Sequence, residues 1–598
     1  MRPFPKGPPP WWMRLRLLLR EWADEWADRW TRWMWGLRQR WDALREMFQL
    51  PTPVPRPLTI PPFNWGNIFT GLSLLAVPAA IFLVFMAIRF RELLFAEAME
   101  CAQIARNLAQ GKGFVTDCLR PLELAFNDSW GNHPDLTYPP LFPLLLAFFF
   151  QRLGAGDNIA ALVSGLFYIL TLGVTLLFAW RMLGKRAAIY AFLFTTVNLP
   201  LIWQSISGMP LTLFAFLLTL LCFLLYLSPR EIPLEVDEEG EPLRVGYGSP
   251  LLAAACGLVF GLGVLTKYGF AFFALPVLVY LWLTHTHTRG WSLVAFSLVA
   301  LAVVSPWLYR NYLLMGNPFF TLRWYEIPMH TTVYPGASLY RRILDYPPSP
   351  LGFMFGHVRT MGRKVVEISA GGLYMFLPMV PSVFLFPFFL VGMFLPPEDR
   401  AYRFLRPCVY TMLIFQTLLI CLTSPVMPNL IPFVPLMVLL ATDTFLGLLD
   451  WWLGEEWRWT KSIVIALLCF FVFYPLFGQL ALGVQIPPNP SEEDFEYIRT
   501  HVPQGAVLIS DMPWSVAWHA ERTALWLPQW LPDFQELQRR KKVQYIHLSQ
   551  QIRTYPRAEE MHYWQTLYYR KILPTGFRLG EEFEGGGVVL VAEKPAPD

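Results

Sequence analysis

Charge is scarce in this chain: 15% of its 598 residues are Asp, Glu, Lys or Arg, and they cancel to a net +4. So small and dispersed an excess excludes the basic face or stripe that a nucleic-acid partner would need. Cysteine spacing excludes two further classes. The seven cysteines stand at 101, 118, 222, 256, 408, 421 and 469, with no CxxC and no metal-ligand pattern. Most fall in apolar runs and read as inert core residues. Cys101 and Cys118 share one loop and could pair if it lies outside the cytoplasm. A secretory signal is also missing. The first apolar run starts near Asn67 behind a long charged leader, so it reads as a retained helix.

What the chain has in abundance is apolar sequence, 55% of all residues, arranged in runs of about 18 or more. Candidate membrane spans lie at 66–89, 158–182, 186–203, 209–227, 250–267, 269–285, 291–309, 371–395, 406–423, 429–449 and 462–483. The expected fold is therefore a mainly α, polytopic membrane protein of about eleven transmembrane helices. The basic stretches "RMLGKR", "THTHTRG" and "EDRAYRFLR" then fall on the same side as the leader, the cytoplasmic side of a bacterial inner membrane. Segments 90–157, 310–370 and the tail are left outside. The run 141–153 is too short to span and is expected to lie along the outer surface.

Before the spans, residues 11–48 repeat Leu and Trp every three or four positions, from Leu15 and Trp22 to Trp41 and Phe48, with Arg and acids on the other faces. Such an amphipathic helix (domain 1–50) lies in lipid headgroups or docks on a protein partner. A proline-rich linker (51–65) joins it to the membrane domain (66–485). Beyond that, 486–598 changes character. "GAVLISDMPWSVAWHAERTALWLP" reads as strand, turn, short helix and strand; "VQYIHLS" is another strand, and "GFRLGEEFEGGGVVLVAEK" a hairpin. The tail is expected to be a small α/β domain outside the membrane.

Polar chemistry concentrates in loop 90–157, with Glu97, Glu100, Arg106, Lys112, Asp117, Arg120, Glu123, Asp128, His133 and Asp135. Glu97 and Glu100, three apart, share one helical face, and carboxylates also favour a helix start for plain electrostatic reasons. His285 and His287 read as solvated loop residues. The glycines of "GLGVL" (261–265) read as helix packing rather than phosphate binding. In "WHAER", His519 and Glu521 read as structural rather than as acceptor contacts.

"EAMECAQIARNLAQGKGF", "RPLELAF", "HPDLTYPPLFPLLLAFFF", "LFAWRMLGKRAA" and "PWLYRNYLLMGNPFF" together resemble the GT-C membrane glycosyltransferases. Within that family they resemble the lipid-A aminoarabinose and protein O-mannosyl transferases. The resemblance runs over most of 66–450 and reaches the tail through "DMPWSVAWHAERTALWLP". It implies transfer of a sugar from a polyprenyl-phosphate carrier to an extracytoplasmic acceptor, with no metal and no separate cofactor. Glu97 takes the place of the activating carboxylate, with Glu100 orienting it or the acceptor. Arg106, Lys267 and Arg310 become candidates to stabilise the leaving phosphate, and His133, Tyr138 and Asn311 candidates for substrate contact. The chain also departs from the family's pattern. Leu211 replaces an acid; Pro428 and Asn429 replace Arg-Tyr; Tyr138 replaces a histidine; Cys101 replaces a tyrosine. Those departures support an alternative, a GT-C-like scaffold acting as an accessory subunit of a membrane complex.

Overall fold

The computed structural model describes residues 65–236, 242–395, 400–453, 457–481, 492–554, 562–570 and 572–593. The expected interfacial helix at 11–48 and the proline-rich linker lie outside them. The rest is a helical bundle with a mixed sheet packed over one end.

Among the described residues, five helices are long and apolar enough to cross a membrane: Asp157–Leu183, Arg289–Met315, Ala401–Leu422, Met427–Leu453 and Arg458–Ala481. The span expected at 186–203 is a pair, Lys185–Thr196 and Leu199–Ser205, bent by 61°. At the bend Asn198 caps the second helix through Leu201 N–H and donates to the Val380 carbonyl, so the break is held by side-chain bonding. Three more expected spans are shorter apolar helices, Leu211–Leu227, Pro250–Val264 and Tyr268–Thr284, and the one expected at 66–89 is the helix Trp65–Arg89. The one at 371–395 is interrupted after a π-helical turn at Ser369–Leu373, where Pro378, Pro381 and the left-handed Ser382 precede the helix Phe386–Gly392. The described residues thus bear out a mainly helical chain with five full-length spans and one bent pair, and leave a count of eleven unconfirmed.

Burial ranks the helices. Met427–Leu453 is 89% buried over its apolar window, while Arg289–Met315 and Arg458–Ala481 are 17% and 22% buried and turn Leu298, Leu301, Phe470 and Phe477 outward. An apolar helix left that bare is suited to a bilayer and not to water. Helix Pro250–Val264 packs closely on Arg289–Met315, with Gly257 against the Phe296 carbonyl and Gly261 beside Val303. Here glycine serves close helix approach, as expected.

The tail strands appear where alternation placed them, as β6 (Leu508–Ser510), β7 (Ala524–Trp526), β8 (Tyr545–Leu548), β9 (Phe577–Glu582) and β10 (Val588–Ala592). Two short strands of the first polar loop, β1 (Val115–Thr116) and β3 (His133–Pro134), pair antiparallel with each other. Between them β2 (Cys118–Leu119) leaves its own loop and joins the tail, giving a six-stranded sheet ordered β2-β7-β6-β8-β10-β9. The first three pairings are parallel and the last two antiparallel, so β10 alone runs against the other five strands. A separate hairpin, β4 (Pro229–Val236) and β5 (Pro242–Gly248), connects two apolar helices.

Two expectations are corrected here. Cys101 and Cys118 are both free and buried, one in a helix and one in the sheet, so they form no disulfide. His285 is fully buried and not solvated: its ring nitrogens meet Ser292 Oγ at 2.7 Å and Ser228 Oγ at 2.9 Å, which satisfies the ring inside the protein.

Candidate active site

Helix Ala96–Ala109 carries the two acids on its first turns, and it is buried along most of its length. It packs against Leu141–Leu153, β1 and the tail segment 513–520. The structure separates the two acids chemically. Glu97 lies 3.0 Å from Lys267 Nζ and 3.7 Å from the Arg323 guanidinium. Lys267 also donates to Asn429 Oδ1 at 2.8 Å, and Arg323 pairs with Glu326 at 3.3 Å while stacking over the Tyr138 ring at 4.9 Å. Burial alone would raise the Glu97 carboxyl; the Lys267 and Arg323 charges outweigh it and hold the group below its ordinary value. Glu97 and Lys267 are each 14% exposed and Arg323 29%, so the cluster remains accessible to a ligand.

Glu100 instead faces inward, with its side chain 4% exposed and 2.5 Å from Arg120. Arg120 also reaches the fully buried Glu123 at 3.3 Å, and Thr137 Oγ1 donates to Glu123 at 3.3 Å. Burial raises the Glu100 carboxyl, and Arg120, shared with Glu123, offsets this only in part. This closed network fixes the helix to the 120–137 loop.

The remaining candidates are placed as follows. Arg106 is buried and donates to the Trp518 and Ala517 carbonyls of the tail, away from Glu97. His133 is buried with its ring nitrogens 3.1 Å from the Pro134 and Asn127 carbonyls. Arg310 stacks over Trp307 at 4.4 Å and Phe114 at 5.4 Å, and Asn311 donates to the Phe320 carbonyl. Of the residues the sequence singles out, then, Glu97, Lys267 and Tyr138 meet in one cluster. Arg323 and Asn429 complete it without having been singled out as site residues. Arg323 sits in the aromatic stretch "TLRWYE", which has no periodicity to mark it, and Asn429 stands out in the sequence only as a departure from a pattern. Leu211 is buried in the main apolar cluster. Among the described residues no group of three or more His, Cys, Asp or Glu could hold a metal ion.

Asp135 is a buried carboxylate next to this region. One oxygen accepts the Tyr138 and Thr137 amides at 2.7 and 3.1 Å, yet burial, with the Glu123 charge adding to it, pushes the group up to about 7. The folded chain thus holds a proton that the unfolded chain has lost. This contribution to stability is complete below the unfolded value near 3.8 and is lost as pH rises through about 7. Asp135→Asn keeps an oxygen for both amides and is expected to remove that part of the slope. Unfolding midpoints of the two chains should diverge between about pH 4 and pH 8; parallel curves would refute the assignment.

No family model and no curated protein sequence matches the chain. Solved structures do. ArnT from Cupriavidus metallidurans in the apo state superposes with a TM-score of 0.52 at 14% identity, covering 88% of this chain and 98% of that one. The same ArnT bound to undecaprenyl phosphate gives 0.51 over the same shares. The archaeal oligosaccharyltransferase AglB from Archaeoglobus fulgidus, in complex with an inhibitory peptide and a dolichol-phosphate, gives 0.54 at 12% identity, over 82% of this chain and 70% of that one. Both proteins are members of the GT-C superfamily. The resemblance in the motif series and the superposition of whole chains agree: this chain has the GT-C fold.

Proposed function

We propose that the chain is an integral membrane glycosyltransferase that moves a sugar from a polyprenyl-phosphate carrier to an acceptor hydroxyl. The observation that carries this reading is an accessible carboxylate, Glu97, set between two cations, Lys267 and Arg323, at the sheet end of a GT-C fold. The acceptor oxygen attacks the anomeric carbon and its proton passes to Glu97. The carbon–oxygen bond to phosphate breaks, and the carrier phosphate keeps the electron pair. Lys267 and Arg323 are suited to hold that developing charge, because they are fixed in place before the reaction. Support for the carrier comes from the neighbours, one bound to undecaprenyl phosphate and one to a dolichol-phosphate. With the charge handled by these two side chains, the reading invokes no cofactor. It places the protein in a bacterial inner membrane, N-terminus cytoplasmic and sheet domain outside.

The accessory-subunit reading is favoured by one observation, Leu211 buried among apolar side chains where the family pattern has an acid. Transfer in membranes from labelled polyprenyl-phosphate sugars, together with binding of the bare carrier to purified protein, separates the two. The enzyme reading expects carrier binding that weakens at least tenfold in Lys267→Met, and labelled product. Neither binding nor product would favour the accessory role.

A further inference from the structure

The tail is joined to the Glu97 helix by more than surface contact. Its short helix Pro513–Ser515 runs into a π-helical turn, Val516–Ala520, that ends on the left-handed Glu521 (φ 54°). A helix ending this way leaves its last carbonyls without in-helix partners. Arg106, two and a half turns beyond Glu97 on the same helix, takes two of them, reaching the Trp518 carbonyl at 2.7 Å and the Ala517 carbonyl at 2.5 Å. Its guanidinium also lies 5.0 Å over the Trp518 ring and 3.4 Å from Glu521. The Trp518 indole in turn donates to Asp157 at 2.6 Å, at the start of the span Asp157–Leu183. Nearer the acid, Ser515 Oγ meets Met99 Sδ at 3.3 Å. The sheet adds a second hold, with β2 paired to β7 and the Ala524 amide donating to the Asp117 carbonyl at 2.8 Å.

We infer that the tail domain sets the position of Glu97, and that Arg106 is the positioning residue through which it does so. Arg106 touches no reacting group; it fixes the rotation and height of the helix against two rigid elements, the sheet and a membrane span. The salt bridge at Glu97 depends on that placement, since helix movement of about an ångström lengthens a close ion pair and weakens site geometry. The charged and titratable groups facing Glu97 are Lys267, Arg323, Tyr138 and, on its own helix, Cys101. A helix released from the tail draws Glu97 away from Lys267 and Arg323, and its carboxyl loses the charges that hold it low.

This inference rests on the transferase reading, and its test separates the two. Amide exchange of the full chain in nanodiscs is compared for native protein, Arg106→Ala and Arg106→Lys. Positioning expects amides 98–108 to exchange at least tenfold faster in Arg106→Ala, with β6 and β8 still protected and Arg106→Lys intermediate. Unchanged exchange in the helix overturns it, whatever the activity. Should Arg106→Ala yield no folded protein, Arg106→Lys alone decides by the same comparison. Where the native chain transfers sugar, the acid limb of the rate profile should also move to higher pH in Arg106→Ala, because the carboxyl loses the neighbouring cations that hold it low. A lower plateau with an unmoved limb would mean only fewer folded molecules and would likewise overturn the inference. Absence of transfer by the native chain bears on the transferase reading, and the exchange result still stands or falls on its own.

Discussion

Glu97→Gln is expected to lower transfer about 10²- to 10⁴-fold while leaving carrier binding close to native. Glutamine has nearly the same shape and keeps an oxygen for the Lys267 ammonium, which now donates at 3.2 Å. What it loses is the capacity to accept the acceptor's proton. Single-turnover transfer with saturating carrier measures that step directly. Glu100→Gln is the informative control, because Glu100 is closed in behind Arg120 and cannot reach a ligand. If Glu100→Gln were as damaging as Glu97→Gln with the protein fully folded, the distinction between the two acids would be wrong. If Glu97→Gln kept full activity, Glu97 would be an ion-pair partner and the base would have to be sought elsewhere.

Arg120→Met should cost about 3–5 kcal/mol of stability, since it leaves the buried carboxylates of Glu100 and Glu123 without their shared cation. The cost lies in the unpaired charge more than in the lost attraction. Replacing all three together, Arg120→Met with Glu100→Gln and Glu123→Gln, should therefore recover much of it. Thermal unfolding midpoints of the single and triple variants in detergent check this. A single variant as stable as the native chain would show that the network is solvated and that the closed arrangement is not what holds the Glu97 helix in place.

Much of the architecture was readable in advance because it depends on local pattern. Long apolar runs, alternating strands in the tail and the glycines of "GLGVL" each carry their own physical signature within a few residues. Where proline and a capping asparagine cut a run, the same local chemistry was present at 198–200 and 378–387 but was outweighed by hydropathy. His285 was misplaced for a related reason. A histidine flanked by threonines looks solvated until Ser228, from a distant helix, closes over it.

By itself the sequence determined that the chain belongs in a membrane, that its polar chemistry gathers in one loop, and that Glu97 heads a helix there. Hydropathy and periodicity are sums over neighbours, and these features are of that kind. Only the tertiary structure decided which acid is accessible and which is sealed. It also brought Lys267 and Arg323, from separate segments, to one carboxylate, set Asn429 against Lys267, and gave Arg106 to the tail rather than to a phosphate. An ion pair across the fold leaves no periodic trace, and a strand of two residues such as β2 is too short to alternate. Those contacts exist because burial makes each charged group find a partner, and the fold alone settles which partner is within reach.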